Sequence, residues 1–154
     1  MTPKHRLLDA VRAELRARFD RLSRAAREAH AAATDPGSKA ESKYDTRSLE
    51  ASYLAAGQAR QLDEVAADVE VFEKLALREF GMEDEIDAGA LVELELNGES
   101  AWYLLVPAAG GVEVEWEGQT VTLLTPASAL YRTLAGMRMG ESAEDPPLTV
   151  TELM

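Results

Sequence analysis

Between Lys4 and about Ala33 the apolar positions Leu8, Val11, Leu15, Leu22, Ala25 and Ala29 recur on alternating steps of three and four. No glycine interrupts the run and no proline follows Pro3. This spacing lays one stripe along one face of an α-helix, in the heptad form of a coiled-coil seam. Arg18 takes the step between Leu15 and Leu22 while Phe19 sits one place off, so the seam is imperfect and falls short of a long stable dimer. Pro3 suits the first helical turn, where a missing N–H costs nothing. Thr34-Asp35-Pro36-Gly37-Ser38 then collects the residue types that stop a helix and turn the chain. After about Arg47 the period resumes through Ala51, Ala55, Gln58, Leu62, Val65, Val69, Phe72 and Ala76, and continues to Phe80-Gly81, where Gly81 reads as the helix end. Two helices with one apolar stripe each must cover one another, which predicts an antiparallel helical hairpin over residues 1–81 with its tip at about 34–47. About 30 residues per arm at ~1.5 Å each give a finger roughly 45 Å long.

Past Gly81 the period changes from helical to two. Leu91-Val92-Glu93-Leu94-Glu95-Leu96 alternates, Asn97-Gly98 follows as a tight-turn dipeptide, and Trp102 to Val106 answers as a partner strand. Val112 to Trp116 and Thr120 to Leu124 form a second pair across Glu117-Gly118, and Leu148 to Leu153 predicts a further strand. Ser128 to Leu134, closed by Gly136, reads as a short helix. The predicted class is α+β: the coiled-coil hairpin, a linker over 82–88, and a small β domain with a short helix over 89–154. No repeat of fixed period appears, which sets solenoids aside.

Composition narrows the function. A chain of 154 residues holds one ordinary domain or two small ones. The net charge of −12 argues against sequence-independent binding to a phosphate backbone, whose affinity comes from Lys and Arg releasing counterions. The charge is also uneven: residues 1–33 carry eight basic and four acidic side chains, and residues 83–154 carry two and fourteen. A basic first helix on an acidic rear half suits a partner with a charged surface of its own, although a solvated surface explains it equally well. With no cysteine, disulfides, thiolate metal sites and cysteine nucleophiles are excluded. No apolar run reaches the ~20 residues that span a bilayer, and the first residues lead into charged helix instead of an apolar signal segment, so the expected compartment is the cytoplasm.

The segment Leu124-Thr125-Pro126-Ala127-Ser128-Ala129-Leu130, continued by Leu134-Ala135-Gly136-Met137-Arg138-Met139-Gly140-Glu141, resembles the Ser-Pro-led helix and Gly-x-x-x-Gly-Asp turn of the GreA/GreB transcription elongation factors, with Thr125 for Ser and Glu141 for Asp. Lys39-Ala40-Glu41-Ser42-Lys43-Tyr44-Asp45 is similar to hairpin tips of divergent Gre-like proteins, and the order of hairpin then β domain is that family's. The glycines and Pro126 identify the family by satisfying backbone demands; they carry none of its chemistry. The resemblance implies an FKBP-like rear domain that docks on bacterial RNA polymerase and a monomer that inserts its hairpin into the secondary channel. It also implies that the chain is no enzyme: tip carboxylates assist the polymerase in cleaving backtracked RNA by helping to hold a Mg²⁺ ion that the factor does not bind stably alone. A hard divalent ion takes carboxylate oxygens, and two metals stabilise both the attacking and leaving oxygens.

The acids near the turn are Asp35, Glu41, Asp45 and Glu50. Glu41 and Asp45 are four apart, so a second helix that begins by Ser38 would put both on one face; they are the first candidates for metal handling and assistance to cleavage, with Asp35 and Glu50 as alternates. A solvated mixed-charge tip is the competing explanation, and Asp35 before Pro36 also suits a turn or cap. The tip departs from the usual cleavage-factor pattern, an Asp and a Glu three apart followed by Asn-Ala-Glu-Tyr, which is absent. Two alternatives therefore stand beside cleavage stimulation: a regulator that occupies the channel, and a non-enzymatic coiled-coil interaction module. His5 and His30 lie too far apart on one helix to share a metal. No phosphate loop or nucleophile elbow occurs. The aromatic residues Trp102, Tyr103, Trp116 and Tyr131 read as core or half-buried sheet positions. An FKBP-like fold does not bring prolyl isomerase activity with it.

Overall fold

The computed structural model describes residues 2–34 and 46–154, with the side chains of 33, 34 and 46–55 excepted. Helix α1 spans Pro3–Thr34 and helix α2 Thr46–Lys74. Strand β1 (Leu91–Leu96), β2 (Glu99–Leu105), β3 (Glu113–Trp116) and β4 (Gln119–Leu124) follow, then helix α3 (Ala129–Leu134), β5 (Ser142–Glu144) and β6 (Pro147–Leu153). The predicted α+β organisation, helices first and then a sheet with a short helix, is the one observed.

The chain divides into two compact units. One joins Met1–Arg12 to Val71–Met154; the other is Ala13–Glu70. The first turns of α1 and the last turn of α2 therefore belong with the sheet, and Leu7, Leu8, Val11 and Phe72 are buried there. At this root Arg12 Nε donates to Phe72 O (2.7 Å), which sets this turn of α1 beside the end of α2. The stretch expected to be a linker, 82–88, is built into the sheet unit: Ile86 is buried, its N–H donates to Met137 O (2.7 Å), and its carbonyl accepts from Gly136 N (2.8 Å).

The end of α2 departs from the sequence expectation. The helix stops at Lys74, and residues 75–80 are not helical although the apolar spacing runs on to Phe80. The cause is a change of partners for the backbone. Arg12 donates to Phe72 O and Leu75 O, Lys4 donates to Arg78 O, and Phe80 joins the sheet's buried cluster. Carbonyls that would otherwise wait for an i+4 amide are satisfied by two cations on α1.

The six strands form one sheet in the order β3-β4-β2-β1-β6-β5. All pairs are antiparallel except β2 with β4, which run parallel with Trp102 opposite Val121 and Leu104 opposite Leu123. This parallel pair welds the two predicted hairpins into one sheet. Both hairpins turn in two residues with positive φ, Asn97 (53°) with Gly98 (83°) and Glu117 (49°) with Gly118 (76°), the type I′ geometry that matches strand twist. On one face Val92, Leu94, Leu105, Leu124, Leu148 and Val150 pack with Leu134 of α3, Ile86 and Phe80. Ser128 caps α3 by accepting from Tyr131 N, and Gly136 leaves it at φ 88°, so the segment from Thr125 to Gly136 seals this face.

Candidate functional site

The described part of α1 ends at Thr34 and that of α2 begins at Thr46, so the turn expected at about 34–47 lies almost wholly outside the described residues. Asp35, Glu41 and Asp45 lie outside the described residues, and Glu50 lies on α2 with its side chain undescribed. Whether a second helix begins by Ser38, the condition for Glu41 and Asp45 to share a face, also falls there. Among the described residues no group of three or more His, Asp or Glu side chains is placed to hold a metal ion. Both histidines are exposed, and His5 shares a 2.8 Å hydrogen bond with the Thr2 hydroxyl.

The best-defined polar arrangement is at the root of the hairpin, where the sequence reading had no candidate. Lys4 is only 1% exposed and its ammonium donates to three backbone oxygens: Arg78, Gly89 (2.7 Å) and Met154 (2.9 Å). One side chain thus ties the start of α1 to the α2 exit, to the turn before β1 and to the residue after β6. The Phe80 ring lies 5.1 Å from the same nitrogen, with the Arg78 guanidinium 4.0 Å from that ring. Burial lowers the Lys4 pKa to about 8; Glu79 opposes the shift and Arg78 adds to it. Nearby, the Trp116 indole donates to Pro3 O (2.7 Å) and Arg6 pairs with Glu117 (2.8 Å). A signal for this lock exists in the sequence: one four-residue step back from Leu8 lands on Lys4 and one step forward on Arg12, two cations in line with an apolar stripe.

Next to this root a cleft of about 570 Å³ is lined by Arg78, Glu83, Asp84, Ile86, Asp87 and Arg138, among others. Its charges are partly matched internally. Arg138 pairs with Glu85 (2.9 Å), Arg78 lies 3.8 Å from Asp84, and Gly81 N donates to Asp84 Oδ2 (2.7 Å). Tyr131 on α3 has its pKa raised by burial and, secondly, by Asp87. Such exposed pairs contribute little stability, and they present a polar, adaptable surface of the kind found at the rims of protein interfaces. Of the aromatics expected in the core or half-buried, Trp116 is buried, while Trp102, Tyr103 and Tyr131 are half-buried.

No family model and no curated protein matches the sequence. Among solved structures the chain is similar to GreA factor homolog 1 (Gfh1) of Thermus thermophilus, at 21% identity and a TM-score of 0.36 over 93% of this chain and 94% of that one. A structure of the transcription factor Gfh1 matches at 19% and 0.38 over 93% and 94%. Gfh1 of Thermus aquaticus matches at 20% and 0.37 over 94% of each chain.

Proposed function

We propose that this chain is a divergent transcription elongation factor of the GreA/GreB type, which binds RNA polymerase through its sheet unit and reaches the enzyme's secondary channel with its helices. The observation that carries the proposal is the Thr125–Glu141 segment. The residues that resemble the family signature form a Ser128-capped helix followed by Gly136 and Gly140 at φ 88° and 87°, directly after the fourth strand. Two helices of 32 and 29 residues, each roughly 45 Å long, suit insertion into a channel. The chain has no reaction of its own in this account. It acts in the cytoplasm beside the polymerase, and Glu41 and Asp45, with Asp35 or Glu50 as alternates, lend carboxylate oxygens to a Mg²⁺ held jointly with the polymerase.

The absence of the Asn-Ala-Glu-Tyr run at the tip favours a second version, a channel-occupying regulator that leaves cleavage unstimulated. One experiment separates them. A purified, artificially backtracked polymerase complex with Mg²⁺ is supplied with the protein, and transcript shortening and co-retention are measured in the same sample. Faster shortening supports the cleavage factor and retention without shortening supports the occupying regulator. Failure of retention overturns both and leaves the interaction module.

A further inference from the structure

At the end of the sheet where β2 and β4 run parallel, two loops meet. Residues 107–111, Pro-Ala-Ala-Gly-Gly, leave β2, and residues 125–127, Thr-Pro-Ala, leave β4 toward α3. Backbone bonds tie the first loop to the end of β4: Val106 N donates to Leu124 O (2.8 Å), Gly111 N to Leu123 O (2.8 Å) and Leu123 N to Val112 O (2.9 Å). The second loop is fixed from the other side. Ser128 N donates to Thr125 O (2.9 Å), and Arg132 Nη1 donates to Pro126 O and to Ala127 O, each at 3.2 Å. Pro107, Gly110, Pro126 and Ala127 are nevertheless exposed. A surface of this kind is set before any partner arrives, because its backbone is bonded in place and its side chains have few rotamers to freeze.

Gly110 is where the two loops touch. A β-carbon placed on it would stand 3.1 Å from both Thr125 Cγ2 and Thr125 Oγ1, and 3.6 Å from Thr125 Cβ. The first two distances fall inside the ~3.5–4.0 Å at which heavy atoms attract. Positive φ belongs to its neighbours Ala109 (64°) and Gly111 (85°) and not to Gly110, so close approach and not the dihedral requires glycine there. Threonine carries two γ atoms on Cβ, so every staggered turn of its side chain leaves at least one of them facing position 110. A serine could turn its single oxygen away. The methyl by which Thr125 departs from the serine of the GreA/GreB segment is therefore what leaves no room for a side chain at 110.

The surroundings are free of charge. No Asp, Glu, Lys or Arg occurs from Ser100 to Val112 or from Gly118 to Tyr131, although residues 83–154 carry fourteen acidic and two basic side chains. Depletion of charged residues marks the centre of protein interfaces. We infer that Gly110 is a positioning residue: by leaving room for Thr125 it holds the corner from Thr125 to Ala127 in the form that seats against the protein partner. The inference rests on the proposed function, which makes RNA polymerase that partner.

The test uses the full chain, its retention by the polymerase complex over a concentration series, and nitrogen-15 amide resonances of the free protein. Gly110→Ala should weaken retention about tenfold and move the amide resonances of Thr125 and Ala127. Thr125→Ser alone should be retained within about twofold of the parent, and Gly110→Ala combined with Thr125→Ser should return both the retention and the corner resonances to that level, as a directly coupled pair requires. A general loss of stability would not be relieved by removing one methyl. Circular dichroism in the same samples checks that each variant is folded at the assay temperature, and the double variant reads the coupling even where Gly110→Ala alone melts early. Gly110→Ala retained as tightly as the parent would overturn the inference, as would a weakening that Thr125→Ser leaves in place. A parent chain that is itself not retained would overturn the proposed function and this inference with it.

Discussion

Replacing Lys4 by methionine keeps an unbranched, buried side chain and removes the ammonium, so it isolates the three hydrogen bonds to Arg78, Gly89 and Met154. Leaving a buried carbonyl without its donor costs about 1–3 kcal/mol; Met154 O keeps Leu91 N, so the losses at Arg78 O and Gly89 O amount to about 2–6 kcal/mol before any offset. The offset is that the variant no longer desolvates a cation, a penalty of several kcal/mol for an ion in a real protein interior. The net expectation is about 1–3 kcal/mol of lost stability. For a chain of this length that lowers Tm by about 2–12 °C. Urea unfolding followed by tryptophan emission reports the right unit, because Trp102 and Trp116 both lie in the sheet unit that holds Lys4. A midpoint unchanged from the parent would refute the reasoning, since the ammonium's desolvation would then cancel its bonds entirely. The pH dependence supplies a second check. With the folded pKa near 8 and the unfolded value 10.5, the unfolded chain binds the extra proton between those limits, so the parent gains stability as pH rises through that window. The difference between parent and Lys4→Met should therefore widen from pH 8 to pH 10; a difference that shrinks over that range would contradict the lowered pKa.

Three further outcomes are expected. Glu41→Ala combined with Asp45→Ala should abolish any stimulated transcript cleavage while the protein is still retained by polymerase; equal loss of both in the paired assay would assign these acids to docking or folding. Asp68 has its pKa raised by burial and by neighbouring Glu64, so its charged form opposes folding at neutral pH and the penalty disappears as pH falls below the unfolded value of 3.8. Asp68→Asn should accordingly raise the melting temperature at pH 7, by an amount that fades toward pH 3, and a lower Tm at pH 7 would rule this out. Glu117 adopts φ 49° in a two-residue turn, whereas its Arg6 partner offers only a surface pair with both side chains about half exposed (49% and 47%). Glu117→Asn should then be neutral or stabilising by about 0.5 kcal/mol, because asparagine tolerates the left-handed region, while Gly98→Ala at φ 83° should cost about 1 kcal/mol; chemical denaturation that reverses this order would sink the turn assignment.

What the sequence shows about this fold depends on how far each determinant reaches along the chain. Asn97-Gly98 and Glu117-Gly118 specify their turns within two residues, and Ser128 and Gly136 bound α3 within nine, so these features were legible and occur where they were read. The parallel pairing of β2 with β4 was not, because nothing local to Trp102 names Val121 as its neighbour; β4 lies between β2 and β3, which takes the sheet edge although it precedes β4 in the chain. The three-residue β5 is too short to show a period at all, and it exists because β6 supplies its ladder. The end of α2 misleads for a related reason. Phe72, Ala76 and Phe80 keep helical spacing, yet the chain uses Phe80 in the sheet's core, and the backbone between is held by Arg12 and Lys4 from 60 or more residues away. Periodicity scores only apolar residues, so a lysine on the stripe looks like a flaw in it. Lys4 is instead the residue that joins four separate stretches of chain, and an apolar residue there would take a donor from three carbonyls, leaving Met154 O its bond from Leu91 N.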